Sequence, residues 1–253
     1  MSWTCRSASS CRGSAEVSAE GALRFARYAY PPNALGYCGP AGADAMLDGT
    51  VDEIGRRARR FEGAWAYLEF LADMLGSLDP LADDVVEAYW IGASAVENVD
   101  SAALVRRLEA VFPGQVGGTW STATARARAH HSFQVFEVYP WAEMLRQGRT
   151  PGPAVNILDR CRIRTGTVTA VDVDHVDVTS AVLNGSEPHL SPRAPGPERA
   201  QWSIDGASLI EMPRVGDRVA LHWDWVCEVV TPAQAATIER LECEQRVAIG
   251  LSG

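Results

Sequence analysis

The chain contains no lysine. All 23 of its cationic residues are arginine, set against 32 carboxylates for a net charge of −9 over 253 residues. A nucleic-acid-binding surface needs a cationic footprint to neutralise phosphates, and this balance does not supply one. The local run Arg56-Arg57-Ala58-Arg59-Arg60 lies on a helical pattern between Glu53 and Glu62 and reads as a solvated helix face. No apolar run reaches the ~18 residues that a membrane span requires. The first 18 residues are rich in Ser, Gly and Ala, carry Arg6 and Arg12, and lack the apolar stretch of a secretory signal. They read as a disordered tail, and the expected setting is cytoplasmic, with no nucleic acid and no membrane as partner. Six cysteines at irregular spacing do not form a disulfide framework in a chain of this length, so reduced thiols are expected. Also missing are His-x-x-x-His, Cys-x-x-Cys, a glycine-rich phosphate loop and Gly-x-Ser-x-Gly, which leaves nucleotide and zinc-protease chemistry without support.

What is present falls into two halves with different periods. Over residues 19–148 apolar side chains recur at three- and four-residue steps, as in Phe61, Trp65, Leu68, Leu71 and Leu75, which predicts helices. Pro31-Pro32 is expected to end the first. Further helices fit 81–95, 101–112 (with Ser101 as N-cap) and 133–147, the last kinked or delayed by Pro140. Apolar-faced helices cannot bury themselves alone and should pack as a bundle. Residues 149–158, opening Arg-Thr-Pro-Gly-Pro, read as a linker. Beyond them the period becomes two, from Thr165 to Thr179, with a turn at Asp174-His175. Residues 184–200 hold four prolines and read as a loop, with strands resuming at Gln201–Ile204, Ser208–Glu211 and Arg218–Val226. Thr231-Pro232 fits the N-cap and first position of a terminal helix. The fold class is α+β: a helical domain over 19–148, then a small closed β-barrel with a C-terminal helix over 159–253.

The second half places a cysteine, Cys161, at the mouth of the β-domain. Gly166-Thr167-Val168 follows, then a Val215-Gly216-Asp217 turn, then a strand with His222, then a Glu-containing helix from Ala233. In order and spacing this third of the chain resembles the HypC/HupF family of [NiFe]-hydrogenase assembly chaperones. The resemblance implies an OB/HypC-like barrel in which Cys161 and His222 hold iron, possibly bearing CO and cyanide, as a metal-binding maturation chaperone would. Its partners would be other hydrogenase maturation proteins or the hydrogenase large-subunit precursor. The sequence departs from the family pattern in three ways: Cys161 is internal, Ile163-Arg164 replaces an Ile-Pro pair, and the loop over 184–200 is inserted. The flanking Arg160 and Arg162 are expected to lower the Cys161 pKa. By strand alternation Asp224 faces the same side as His222, as a second-shell partner for the imidazole.

The first half carries a second thiol. Cys38 lies between Tyr37 and Gly39-Pro40, ahead of a helical pattern whose dipole would favour thiolate. His130 and His131 could serve as its base and Glu137 or Glu143 could orient that base, so Cys38, His130 and His131 form a candidate catalytic set. A thiol-dependent enzyme and a metal-free interaction module therefore stand beside the iron-carrying reading.

Overall fold

The Ser18 hydroxyl accepts the Gly21 N–H at the start of α1 (Ala19–Ala34). The computed structural model describes residues 18–114, 122–149, 151–184 and 190–251; the expected tail lies, apart from Ser18, outside them. Helix α1 does not stop at Pro31-Pro32, which occupy its last turns. The carbonyls of both prolines still accept, from the Leu35 and Tyr37 N–H groups.

Short helices follow: α2 (Asp44–Leu47), α3 (Val51–Ala58), α4 (Glu62–Leu75), α5 (Asp83–Trp90), α6 (Ser94–Glu97) and α7 (Ser101–Val111). The helix expected over 81–95 is broken after Ile91 by Gly92, whose φ of 98° belongs to the left-handed region. Asp100, not Ser101, caps α7, accepting the Ala103 N–H at 3.0 Å. The helix expected over 133–147 is three pieces: α8 (His131–Phe133), a π-helical turn (Gln134–Val138) and α9 (Trp141–Arg146) after Pro140. Residues 151–161 are not a linker but a helix, α10 (Pro151–Cys161). Its prolines sit in the first turn, where a missing N–H costs nothing. Ala154, Leu158 and Cys161 bury one face of it among Leu145, Trp223 and Leu251.

The strands are β1 (Arg164–Val171), β2 (His175–Ser180), β3 (Leu183–Asn184), β4 (Ser191–Pro192), β5 (Gly196–Gln201), β6 (Arg218–His222) and β7 (Trp225–Val229). The main sheet runs β1-β2-β5-β7-β6, and β6 pairs back onto β1, so the order closes on itself. Three expectations are corrected here. Strand β5 lies inside the proline-rich stretch, with Pro197 and Gly196 at the end that pairs with Thr179 and Ser180. And the strand expected over 218–226 is a hairpin, turned at Trp223-Asp224 with Trp223 at φ 55°. Beyond Gln201, the expected strands reduce to one bridge between Ile204 and Ala207.

Valines of alternating position (Val168, Val176, Val178, Val219, Val226) and Leu221 fill the space enclosed by the sheet. A second and larger core passes from the helices into the sheet, joining Phe25, Tyr28, Trp90 and Phe133 to Ala220, Trp225, Cys227 and Ile238. Helix α11 (Pro232–Ala248) closes the chain against β1, β6 and α8. Thr231 and Gln234 form a reciprocal capping box at its start, a feature worth about 1 kcal/mol.

Candidate metal centre

The β1–β6 ladder explains how a cysteine before one strand meets a histidine at the end of another. Arg164 pairs with Leu221, and the contact extends one step further: the Trp223 N–H donates to the Arg160 carbonyl at 2.7 Å. That bond sets the last residue of α10, Cys161, beside the last residue of β6, His222. Helix α8 brings His131 to the same point, where its Nε2 donates to the Cys161 carbonyl at 2.8 Å. The donor atoms of His131, Cys161 and His222 all lie within 4.8 Å of one another, and all three residues are buried. Donors around a tetrahedral ion with bonds of 2.0–2.3 Å stand about 3.3–3.8 Å apart, so a contraction of about an ångström brings the three into bonding range.

The hydrogen bonds decide which nitrogens are available. The His222 Nδ1 lies 2.7 Å from the Tyr28 carbonyl, which can only accept, so the proton sits on Nδ1 and the lone pair on Nε2. That Nε2 is buried and has no hydrogen-bond partner among the described residues. Burying such an atom unpaired costs about 1–3 kcal/mol. His131 spends its Nε2 proton on Cys161 in the same way, leaving Nδ1 as its lone pair, 3.2 Å from the Tyr89 hydroxyl. Tyr89 has one proton and two acceptors, because its hydroxyl also meets the Gln134 Oε1. It can cover the Nδ1 lone pair when the site is empty and turn to Gln134 when a metal takes that lone pair. A carbonyl or carboxylate on the far ring nitrogen is the usual support of a metal-binding imidazole.

Burial sets the protonation states. It lowers the His131 pKa to about 4 and pushes His222 well below its ordinary value, with the neighbouring His131 adding to the second shift. Both imidazoles are therefore neutral at pH 7, as ligation requires. Burial drives the Cys161 thiol up, not down as its flanking arginines led one to expect. Arg160 is occupied by Asp224, and Arg162 by Asp159 and Glu242. Cys38 is raised to about 12 by burial as well. It stands well short of a helix N-terminus, since the four-residue α2 begins only at Asp44.

A cavity of about 260 Å3 opens onto this cluster. Cys38, Cys161, His131 and His222 all line it, among aromatic walls that include Trp90 and Trp223. The ring of Trp90 lies 4.6 Å from that of His131 and 5.6 Å from that of His222, while its other face stacks on Tyr28. Thus the two residues expected to hold metal and two of the three in the expected catalytic set share one site. The remaining residues do not join it. His130 turns away, its Nδ1 2.7 Å from the Ser132 hydroxyl and its Nε2 toward Gly92. Asp224 sits in the β6–β7 turn, exposed and paired with Arg160, so the Tyr28 carbonyl takes the supporting role expected of it. Glu137 bonds Arg126 and Gln245, and Glu143 bonds Arg146 and Gln147; both are engaged away from the imidazoles. Tyr89 and Gln134 carry no sequence signal beyond helical period.

A sequence profile described as a family of unknown function, DUF6390, matches residues 17–249. The chain belongs to the DUF6390 family. The DUF6390 match spans both halves and all four cavity-lining donors. No curated protein and no solved structure matches the chain.

Proposed function

We propose that this protein is an accessory factor for [NiFe]-hydrogenase metallocentre assembly that carries or transfers iron on Cys161 and His222, with His131 as a further ligand. The observation that supports this reading is the convergence of Cys161 and His222, the two residues on which the HypC/HupF resemblance rests, at a buried point where His222 Nε2 has no other partner. A sheet closed through β1–β6 pairing and followed by a terminal helix is in keeping with an OB/HypC-like barrel. The donor chemistry suits iron with small π-acceptor ligands: a soft thiolate and neutral imidazoles, in a cavity whose lining includes Tyr89, Trp90, Tyr139 and Trp223. Iron is cargo here. Its arrival displaces the Cys161 proton, which burial otherwise holds in place. The partners are other hydrogenase maturation proteins or the large-subunit precursor.

The test is metal analysis with infrared spectroscopy on protein co-expressed with hydrogenase maturation factors and purified anaerobically, beside Cys161→Ala. The expected result is bound iron with CO and cyanide stretching bands, both lost in the variant. Metal-free wild-type protein from that host overturns the proposal.

A further inference from the structure

The cavity holds a second thiol that the Cys/His pair does not use. Cys38 comes from the helical half, on the loop after α1, and lines the same space as Cys161, His131 and His222. Its sulfur is not among the three donor atoms that already lie within 4.8 Å of one another, so it would have to be drawn in from the cavity wall to reach an ion held by them. The loop is held in place around Cys38. The Asn33 side-chain amide donates to the carbonyls of Cys38 (2.7 Å) and Pro40 (2.8 Å). Gly39 takes a φ of 80°, and a Cβ there would come within 2.3 Å of the Phe61 ring, so the residue after Cys38 has to be glycine. Cys161, His131 and His222 are 8%, 4% and 1% exposed, whereas Cys38 is half-buried. Beside it, Tyr37 lies over the Trp223 ring at 4.1 Å, so the helical loop and the β6–β7 turn meet at the cavity's rim.

We infer that Cys38 is a metal ligand supplied by the helical half, and that it is the ligand at the mouth, through which the ion enters and leaves. The inference rests on the metal reading of the site. Three inner donors leave a divalent ion with an open position, and a thiol on the solvent side of the cavity is available to fill it. The step is a ligand exchange: the Cys38 S–H bond breaks, its proton goes to solvent, the sulfur–metal bond forms and a metal-bound water leaves. Release runs in reverse, with an incoming thiol or water taking the position of Cys38 while the three buried donors still hold the ion. The buried, unpartnered His222 Nε2 is the independent sign that the cavity is built for a Lewis acid.

Anaerobic titration of the full chain with Co(II) tests this. Near-UV thiolate-to-cobalt absorbance grows with the number of thiolates bound, so Cys38→Ser is expected to lower it to about half while binding stays at one ion per chain. Full absorbance in Cys38→Ser removes Cys38 from the ligand set and leaves the metal reading standing. No Co(II) binding by the wild type overturns both. A second measurement needs no variant: alkylation of wild-type protein, mapped by mass spectrometry with and without Zn(II). Cys38 is expected to be protected by the ion, while exposed Cys243 reacts equally in both. Equal alkylation of Cys38 in the Zn(II)-bound protein overturns the inference.

Discussion

Two concave regions of the molecule treat charge in different ways. The groove between β1 and α11 is lined by Arg162, Arg164, Arg218 and Arg246, and each of these faces a carboxylate. Arg162 pairs with Asp159 and Glu242, Arg246 with Glu242, Arg164 with Glu198 and Arg218 with Glu239. Glu198 is 16% exposed and burial alone would raise its pKa, yet Arg164, helped by Ser180, holds it below the usual carboxylate range. The groove has the charge of a ligand site, yet each of these arginines is matched by a carboxylate, and of Arg164 only the buried Nη1 lacks a partner among the described residues. The cavity at Cys161 and His222 has neutral donors, an imidazole nitrogen without a partner among the described residues and two thiols that burial keeps protonated. The lesson is that the density of charge alone does not mark a site for a ligand.

That contrast can be broken from the groove side. Replacing Arg164 by Met strands the mostly buried Glu198, which should cost about 3–5 kcal/mol in denaturant unfolding. The same variant should bind Co(II) with an unchanged spectrum; a lost spectrum in folded protein would mean that the two regions are not independent. Another effect of at least that order comes from pH. His130 and His131 have folded pKa values of about 3 and 4 against an ordinary 6.5. Between those values the unfolded chain binds more protons than the folded one, so stability rises with pH there. Stability of the metal-free protein should be complete above about pH 6.5 and fall by up to about 1.4 kcal/mol per unit for each histidine as pH drops toward 4. Thermal melts across that range check it, and His130→Gln should flatten the slope without touching metal binding. The smallest effect belongs to Arg218→Gln. Its partner Glu239 is half exposed, and solvent screening should hold the change below about 1 kcal/mol.

The legibility of the site followed the range of the interactions that build it. Cys161 and His222 are singled out by the HypC/HupF resemblance, whose motifs are short and local: a cysteine ahead of a Gly-x-Val strand, and a histidine strand between a Val-Gly-Asp turn and a capped helix. Asp224 was misplaced because strand alternation has no means of foreseeing a turn at Trp223, a β-favouring residue at positive φ. Residues 151–158 looked like a linker because prolines count against a helix everywhere except in its first turn. The direction of the cysteine shifts was misread for a different reason. Neighbouring arginines are visible in sequence, but burial and the carboxylates that claim those arginines are not.

The sequence by itself determined the helical and β periods and the Thr231-Pro232 start of the last helix, because these depend on residues a few positions apart. Only the tertiary structure decided that His131 and not His130 reaches them, that Cys38 lines the same cavity, and that all four donors are neutral. The separations involved run from 30 residues between His131 and Cys161 to 194 between His222 and Tyr28. Over such distances no local period carries information, and packing alone selects which side chains meet.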